Sequence, residues 1–253
     1  MIQLTSQLTC VVALSPLRVE ASDRAEMCTQ ALAGESAKCI EVGERDWIRI
    51  QLIRDGYMGW VDRKQWQLQS IDSNEFLIQA PVSSWKRSDG VCLELLAGSE
   101  VSLNDGVWRL GSWSLETLDS PDLIFAAHDS AIDVANQFLG APYLWGGKSA
   151  FGMDCSGLIQ LAFGLVGINV PRDAKDQANI GETVPWGSQM TGDVAFFANP
   201  EQRVIHVGIL TDAHAIVHAA GEVRTDELTR EGILRDGVLT HSMHSIRRWP
   251  LSC

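Results

Sequence analysis

The sequence predicts an α+β protein in which two small β-modules precede a domain of helices followed by a sheet. Three observations support this class: short strand-like pieces up to about residue 69, a second similar pattern, and a change near residue 122 to helical periodicity followed by apolar strands. With 253 residues, 45% of them hydrophobic, the chain can bury a core. We predict modules at 1–69 and 70–125 and an α+β domain at 126–253.

The first β-module is predicted from three segments rich in Ile, Val and Trp, which read SAKCIEV, DWIRIQLI and MGWVD. Turn signals at Gly34, around Gly43 and at Asp55-Gly56 separate these segments. Strands this short, with no long helical stretch between them, are typical of a small β-barrel.

The second β-module is predicted from internal similarity. ALAGESAKCIEVGERDWIRI at 31–50 and LLAGSEVSLNDGVWRL at 95–110 both begin with an apolar residue and Leu-Ala-Gly, then continue with a strand, a turn and a strand containing Trp. Such self-similarity indicates two related modules. The alternative is a pair of unrelated strands, each opened by a glycine turn.

The C-terminal domain is predicted from two helical patterns and three strands. The segment 126–139 places its apolar residues on one helical face and ends at Gly140, and the segment 158–166 ends at Gly167. The apolar segments DVAFFA, VIHVGIL and AIVHAAG follow and predict strands. This order predicts an α+β domain.

The composition excludes several classes of partner. A net charge of −12 argues against nucleic acid and against adhesion to anionic lipid, since both need a basic surface. The apolar run LTCVVAL spans 7 residues with no preceding Lys or Arg, too short for a secretory signal or a membrane helix. We therefore expect a cytoplasmic protein without membrane insertion, although a chain trimmed of its signal would look the same.

The six cysteines do not form a metal-binding pattern. The sequence contains no CxxC and no Cys/His cluster with zinc spacing, so neither a metal nor another cofactor is expected. Free thiols in a reducing compartment are expected rather than disulfides.

Cys155 is the candidate nucleophile. It lies in GGKSAFGMDCSGL, at the start of the helical pattern that continues from Leu158, with Asp154 as a natural N-cap. A helix N-terminus stabilises a thiolate, so a lowered pKa is expected at this position. The alternative is a small buried apolar residue.

His206 and His218 are the candidate partners of the thiol. They lie in VIHVGIL and AIVHAAG, each on one face of a predicted strand. A hairpin with an odd loop centred on Asp212 would place them directly opposite each other, whereas a loop of two or four residues would break that register. One histidine would accept the thiol proton and the second would orient its ring. The alternative is two structurally partnered strand residues. A surface or capping role is expected for the remaining histidines, which are His128, His214, His241 and His244.

The motifs YLWGGKSAFGMDCSGLIQLAF, HVGIL and VHAAG resemble the three motif blocks of the NlpC/P60 cysteine peptidases, over residues from about 126 to 250. The resemblance implies a papain-like domain preceded by two small SH3-like β-barrels, and cleavage of the peptide stems of bacterial peptidoglycan. It implies Cys155 as nucleophile, His206 as base and His218 as the third member of the triad.

The arrangement of modules resembles the YkfC-type γ-D-glutamyl-L-diamino acid endopeptidases. These enzymes act on stem-peptide fragments with a free N-terminal L-Ala and release L-Ala-γ-D-Glu in murein recycling or turnover. The sequence does not distinguish meso-diaminopimelate from lysine at the leaving position.

The same resemblance implies further site residues in the C-terminal domain. Tyr143 corresponds to a tyrosine near the oxyanion site, and Asp154, Ser156 and Asp173 correspond to residues that line the substrate groove. From the sequence alone, Asp173 is equally a solvated loop carboxylate. Ala174 stands where many relatives have Ser, which removes a hydroxyl worth ~1 kcal/mol of hydrogen bonding and leaves specificity open.

Two more site residues are implied in the first module. Tyr57 corresponds to a tyrosine that extends over the groove, and Glu26 to an acidic anchor for the substrate amine. The alternative for Tyr57 is a place in the barrel core. A free ammonium needs a carboxylate partner, which Asp173 with Glu26 would supply.

Two other functions stay open at this stage. The chain is either a catalyst or an adaptor that binds cell-wall peptides through a degenerate papain-like domain. Within thiol chemistry, an amidase or an acyltransferase acting on another amide is the further alternative.

Overall fold

The computed structural model describes residues 2–69 and 75–249, which form two compact units, Met1–Ala127 and His128–Cys253. The predicted fold class is confirmed: β-modules come first and a domain of helices and a sheet follows. The predicted limit between the two β-modules, at 69/70, borders a segment outside the described residues.

The first β-module is an antiparallel sheet whose described strands have the order β3-β2-β6-β5-β4-β1-β7. Alternate residues of each strand enter its core, as β5 shows with Ile48, Ile50 and Leu52 buried. A 3₁₀ helix at Arg63–Gln65 precedes the last strand. The strands are β1 (Gln7–Cys10), β2 (Leu14–Arg18), β3 (Met27–Leu32), β4 (Ser36–Val42), β5 (Trp47–Leu52), β6 (Met58–Asp62) and β7 (Trp66–Leu68).

The second β-module has the described strand order β10-β9-β13-β12-β11-β8, which matches the first module strand for strand once its extra β7 is set aside. Gly34 and Gly98 open equivalent strands and share a positive φ, 84° and 85°. The similarity between 31–50 and 95–110 therefore has a counterpart in the topology. The elements are β8 (Glu75–Leu77), β9 (Val82–Arg87), β10 (Cys92–Leu96), β11 (Glu100–Asn104), β12 (Val107–Leu110), β13 (Trp113–Thr117) and helix α1 (Pro121–Ile124).

In the described part of the C-terminal unit, helices pack on a seven-stranded sheet. Its strand order is β16-β22-β17-β18-β19-β20-β21, and β21 also pairs with β22. Helix α3 packs on β18 and β19. Its helices are α2 (Ala131–Asn136), α3 (Cys155–Leu165) and α4 (Ala174–Gln177). Its strands are β14 (Lys148–Ser149), β15 (Gly152–Met153), β16 (Glu182–Thr183), β17 (Val194–Ala198), β18 (Val204–Asp212), β19 (Ala215–Ala220), β20 (Glu222–Leu228), β21 (Gly232–Arg235) and β22 (Val238–Arg248).

The helices and strands of this unit differ in part from the expectation. The helix predicted at 126–139 is shorter, since it covers only Ala131–Asn136. The sequence patterns indicated β17 to β19 but not β20 to β22, whose mixed polar composition lacks a long apolar run. Across the described residues, no helix is long and apolar enough to span a bilayer.

Candidate active site

Cys155 is the first residue of α3, and Asp154 caps this helix. Asp154 Oδ1 accepts a hydrogen bond of 2.7 Å from the Gly157 backbone N–H. The first turn of α3 lies so close to the Gly147 carbonyl that a side chain at Gly157 would overlap it. The glycines around Asp-Cys-Ser-Gly thus let two backbone segments meet behind the thiol.

Replacing Gly157 by Ala should therefore damage the site, because the added methyl would displace either α3 or the Gly147 loop. We expect a loss of about 1–3 kcal/mol in the free energy of unfolding, together with a fall in peptidase activity. Gly164→Ala is the matched control, since Gly164 lies in the same helix and has open space at its Cβ. The control should stabilise the helix by up to about 1 kcal/mol. Thermal melts that rank Gly157→Ala at or above Gly164→Ala would contradict the close-contact argument.

Asp154 is held by Arg172, a buried residue that the sequence analysis did not single out. Arg172 is 2% exposed and donates to Asp154 through Nη1 (3.0 Å to Oδ1) and Nη2 (2.7 Å to Oδ2). The Gly146 N–H also donates to Asp154, at 2.9 Å. With these donors and Gly157, the carboxylate has filled its acceptor positions, so its observed role is to fix the loops around Cys155. In the sequence, Arg172 lies in PRDAKDQ at 171–177, of which only Asp173 was predicted as a site residue.

The other residues predicted to line the groove lie beside this pair. Ser156 is buried, and its Oγ accepts a 2.8 Å hydrogen bond from Arg172 Nη1. Asp173 is the N-cap residue of α4 with a side chain 34% exposed, and it lies 3.7 Å from Lys175 Nζ. An accessible carboxylate next to the Arg172–Asp154 pair can meet a cationic group. Its contact with substrate stays a prediction.

The two candidate histidines come together, but not in the expected register. His218 pairs with Gly208 rather than with His206, because the chain turns at Ala213 and His214 and the pairing shifts between Leu210 and Asp212. The odd loop centred on Asp212 was therefore wrong. His206 and His218 are diagonal neighbours on one face instead. An added Cβ at Gly208 would lie 2.9 Å from the Cβ of His218, so this glycine leaves room for the histidine.

The imidazoles of His206 and His218 are joined by a hydrogen bond. His206 Nε2 lies 2.7 Å from His218 Nδ1, and both side chains are buried. His218 Nε2 lies 2.9 Å from Asp226 Oδ2. Nδ1 of His206 takes no part in these two hydrogen bonds, and helix α3, which Cys155 begins, packs on the strand that carries His206. Transfer of the thiol proton to this nitrogen stays a prediction. The sequence analysis did not predict Asp226 as a site residue, because its strand, β20, has no apolar run from which a strand could be predicted.

His241 also belongs to the cluster, which corrects the surface role expected for it. Its ring stacks on that of His206 with a centroid distance of 4.1 Å and an angle of 25°. Ring nitrogens of His206, His218 and His241 all lie within 4.8 Å of one another. Although imidazoles in such a group suit Zn²⁺, the two buried rings already bond to each other and the third is stacked. We interpret the group as a proton-transfer chain with a stacked neighbour.

The electrostatics differ from the expected thiolate. Burial raises the pKa of Cys155 to about 12, and the nearby Asp154 charge adds to this, while a hydrogen bond from the Val207 backbone only partly offsets it. Burial, with the neighbouring His241 and His218, holds the pKa of His206 well below 6.5. The resting pair is therefore a neutral thiol and a neutral imidazole, because desolvation outweighs the helix N-terminus.

This charge state predicts the pH dependence. A protonated imidazole cannot accept the thiol proton, so activity is lost as the pH falls through the pKa of His206; since that pKa is lowered, the loss occurs below pH 6.5. We expect the two enzyme groups to leave kcat/KM flat from there to about pH 9, because the Cys155 thiol has its pKa near 12. A substrate with a free α-amine adds its own titration near pH 8. A steep alkaline fall between about pH 7 and 9 with a peptide that has no free amine would indicate a resting ion pair instead.

Tyr143 lies close enough to Cys155 that a thiolate there would raise the pKa of the tyrosine hydroxyl. The pKa of this hydroxyl is raised to about 12, mainly by burial. Negative charge on Cys155 and Asp154 acts in the same direction. The hydroxyl therefore remains protonated across the working range and can donate a hydrogen bond. A donor beside the sulfur suits the oxyanion role predicted for it.

Tyr57 and Glu26 belong to the N-terminal unit. Tyr57 is half-buried and packs against the core of the first β-module, and its backbone N–H donates to Asp55 Oδ1 at 2.9 Å. Glu26 is exposed, and its carbonyl accepts from the Val19 N–H at 3.1 Å. Their substrate contacts stay predictions.

Comparison with known proteins finds a matching segment in each of the two units. Residues 140–241 match the model of the NlpC/P60 family, and residues 17–65 match that of the bacterial dipeptidyl-peptidase SH3 domain. The chain is 29% identical over 221 residues to a gamma-D-glutamyl-L-lysine dipeptidyl-peptidase of Bacillus subtilis, covering 76% of this chain and 71% of that protein. The protein of the same name from Bacillus cereus is 28% identical over 231 residues, which cover 79% and 69% of the two chains.

The solved structures support the same fold. A crystal structure of an NlpC/P60 family protein from Bacillus cereus aligns with a TM-score of 0.80 and 20% identity, covering 98% of this chain and 100% of that one. An NlpC/P60 endopeptidase from Photobacterium damselae aligns with a TM-score of 0.70 and 15% identity, over 88% and 66% of the chains. With its helix-terminal cysteine and paired histidines, the C-terminal unit contains an NlpC/P60 cysteine peptidase domain, matched over residues 140–241.

Proposed function

We propose that this peptidase hydrolyses the γ-D-glutamyl–L-diamino acid bond of peptidoglycan stem peptides that carry a free N-terminal L-Ala, and that it releases L-Ala-γ-D-Glu during cell-wall turnover or recycling. The observation that carries the proposal is the hydrogen-bonded chain of His206, His218 and Asp226, whose two histidines lie on β18 and β19, the strands packed against the helix that Cys155 begins. The two Bacillus relatives named gamma-D-glutamyl-L-lysine dipeptidyl-peptidase support the choice of bond.

The reaction follows from the protonation states. His206 takes the proton of the Cys155 thiol as the sulfur attacks the carbonyl carbon of the γ-linkage. The oxygen of that carbonyl gains negative charge, which the Tyr143 hydroxyl and the Cys155 backbone N–H stabilise. The protonated imidazole then gives its proton to the departing amine, and water attacks the thioester to release the dipeptide and restore the thiol.

We attribute the preference for a free amine to a carboxylate of the protein that would bind the substrate ammonium. Asp173 is partly exposed beside the buried Arg172–Asp154 pair, and Glu26 is exposed on the first β-module. A substrate ammonium would meet the carboxylate of Asp173 in a charge-assisted hydrogen bond. An acetylated amine has no charge to offer and adds bulk at the same point.

The test is digestion of L-Ala-γ-D-Glu-L-Lys beside its N-acetylated form, followed by mass spectrometry. We expect the free-amine peptide to yield L-Ala-γ-D-Glu and the acetylated peptide to be cleaved at least about tenfold more slowly, since a charged contact of about 1.5–3 kcal/mol is lost. Cys155→Ala should cleave neither.

Each other result has a definite meaning. Equal cleavage of both peptides would reject amine recognition but leave the peptidase in place. Binding without turnover would favour the adaptor, and a product of another mass would favour an amidase or acyltransferase.

A further inference from the structure

The hydrogen-bonded groups of the site form a line across three adjacent strands. His206 comes from β18, His218 from β19 and Asp226 from β20. Asp226 is 7% exposed in its side chain against 1% for His218, so this largely buried carboxylate lies at the more accessible end of the line. A buried carboxylate that contacts an imidazole fixes which of its nitrogens carries the hydrogen.

The protonation of each ring follows from one end of the line. An ionised carboxylate only accepts hydrogen bonds, so His218 Nε2, at 2.9 Å, must carry its hydrogen toward Asp226. The other nitrogen of a neutral His218, Nδ1, then has a lone pair and accepts from His206 Nε2, at 2.7 Å. His206 is thereby left with an unprotonated Nδ1, the state in which it can accept the thiol proton of Cys155.

We propose that Asp226 is a positioning residue which, through His218, sets the tautomer of His206 and so makes it the proton acceptor of Cys155. This inference rests on the proposed function, because it assigns Asp226 a part in the same reaction. Asp226 touches neither thiol nor substrate in this scheme. Its effect reaches the sulfur through two imidazoles.

Arg224 binds only one of the two carboxylate oxygens of Asp226. Its Nε and Nη2 both donate to Asp226 Oδ1, at 3.1 and 2.8 Å, so one carboxylate oxygen serves the arginine and the other serves His218. An asparagine at 226 has a single acceptor oxygen, and we expect Arg224 to donate its hydrogen bonds to that oxygen. The amide NH₂ would then face His218, force its Nε2 to accept, and reverse the hydrogen on both rings.

If the hydrogens on both rings are reversed, the activities of the variants should follow an unusual order. Asp226→Asn, although nearly isosteric, should be worse than Asp226→Ala, because alanine merely removes the bias between tautomers. Arg224→Met alone should stay within about threefold of wild type, since the carboxylate still accepts from His218. Adding Arg224→Met to Asp226→Asn frees the amide to turn its oxygen toward His218 and should restore activity.

The experiment measures these four variants in two assays. The first is the rate of Cys155 alkylation by iodoacetamide, mapped by mass spectrometry so that other thiols do not count. The second is kcat and KM for L-Ala-γ-D-Glu-L-Lys. Thermal melts identify any variant that fails to fold, in which case the comparison of the remaining ones decides.

We expect Asp226→Asn to lower kcat and the alkylation rate about 100-fold with little change in KM, short of the roughly 10⁴-fold loss seen where a carboxylate contacts the base directly. The double variant should recover at least about tenfold of this loss. Asp226→Asn within threefold of wild type, a double variant no faster than the single one, or Asp226→Ala slower than Asp226→Asn would each overturn the proposal. If the wild type does not cleave the peptide, the proposed function fails, and the alkylation rates still decide the role of Asp226.

Discussion

Replacing His206 by Phe is expected to lower kcat/KM by roughly 10⁴-fold or more, because the base of the reaction is removed while the space is refilled. The side chain is 5% exposed and its ring lies 5.9 Å from Phe197, so an aromatic replacement suits its surroundings. The thiol of Cys155, whose pKa burial raises to about 12, would then lose the imidazole that is proposed to accept its proton near neutral pH. Steady-state hydrolysis of the free-amine peptide measures the loss, and circular dichroism verifies the fold.

His241→Phe is the matched control. The two histidine rings are stacked at 4.1 Å, yet only His206 bonds to His218 in the hydrogen-bonded chain. We therefore expect the control to remain within about tenfold of wild type, since it alters packing rather than proton transfer. Comparable losses in the two variants would contradict the assignment of His206 as the base and indicate that the stacked pair acts as a unit.

Local patterns in the sequence were sufficient to place the thiol. An acidic N-cap, a cysteine and a following apolar periodicity define a helix start, and Cys155 begins α3 as expected. The two apolar strands that carry His206 and His218 were equally visible. Their side chains meet on one face, but the sequence could not give the register, because the pairing shift between Leu210 and Asp212 depends on hairpin geometry.

The missing parts of the site come from segments without a strong local signal. Asp226 and His241 lie on β20 and β22, polar strands that reach the site only through the sheet order. The charge state of Cys155 was also beyond local reasoning. A helix N-terminus lowers a thiol pKa, and only the packed structure shows that burial reverses the direction.

Arg172→Met is expected to destabilise the protein by about 3–5 kcal/mol, because it leaves the buried carboxylate of Asp154 without its charged partner. The two side chains are 1% and 9% exposed and are joined through both nitrogens and both oxygens. Methionine fills much of the volume of the arginine, so the loss reports the unpaired charge rather than a cavity. Urea unfolding measures the change through the transition midpoint and its slope.

Activity should fall with stability in this variant, even under conditions where it remains folded. Asp154 caps the helix that starts at Cys155 and also binds the Gly146 N–H, so a displaced carboxylate moves the loops on both sides of the sulfur.

Lys175→Met supplies the comparison in the same segment. Its ion pair with Asp173 is 3.7 Å long and the lysine is 68% exposed, so the change should stay within about 0.5 kcal/mol. Equal destabilisation by the two substitutions would show that the segment responds to any lost cation. A large difference instead assigns the effect to the buried pair, whose function is to hold the helix N-terminus where the nucleophile must lie.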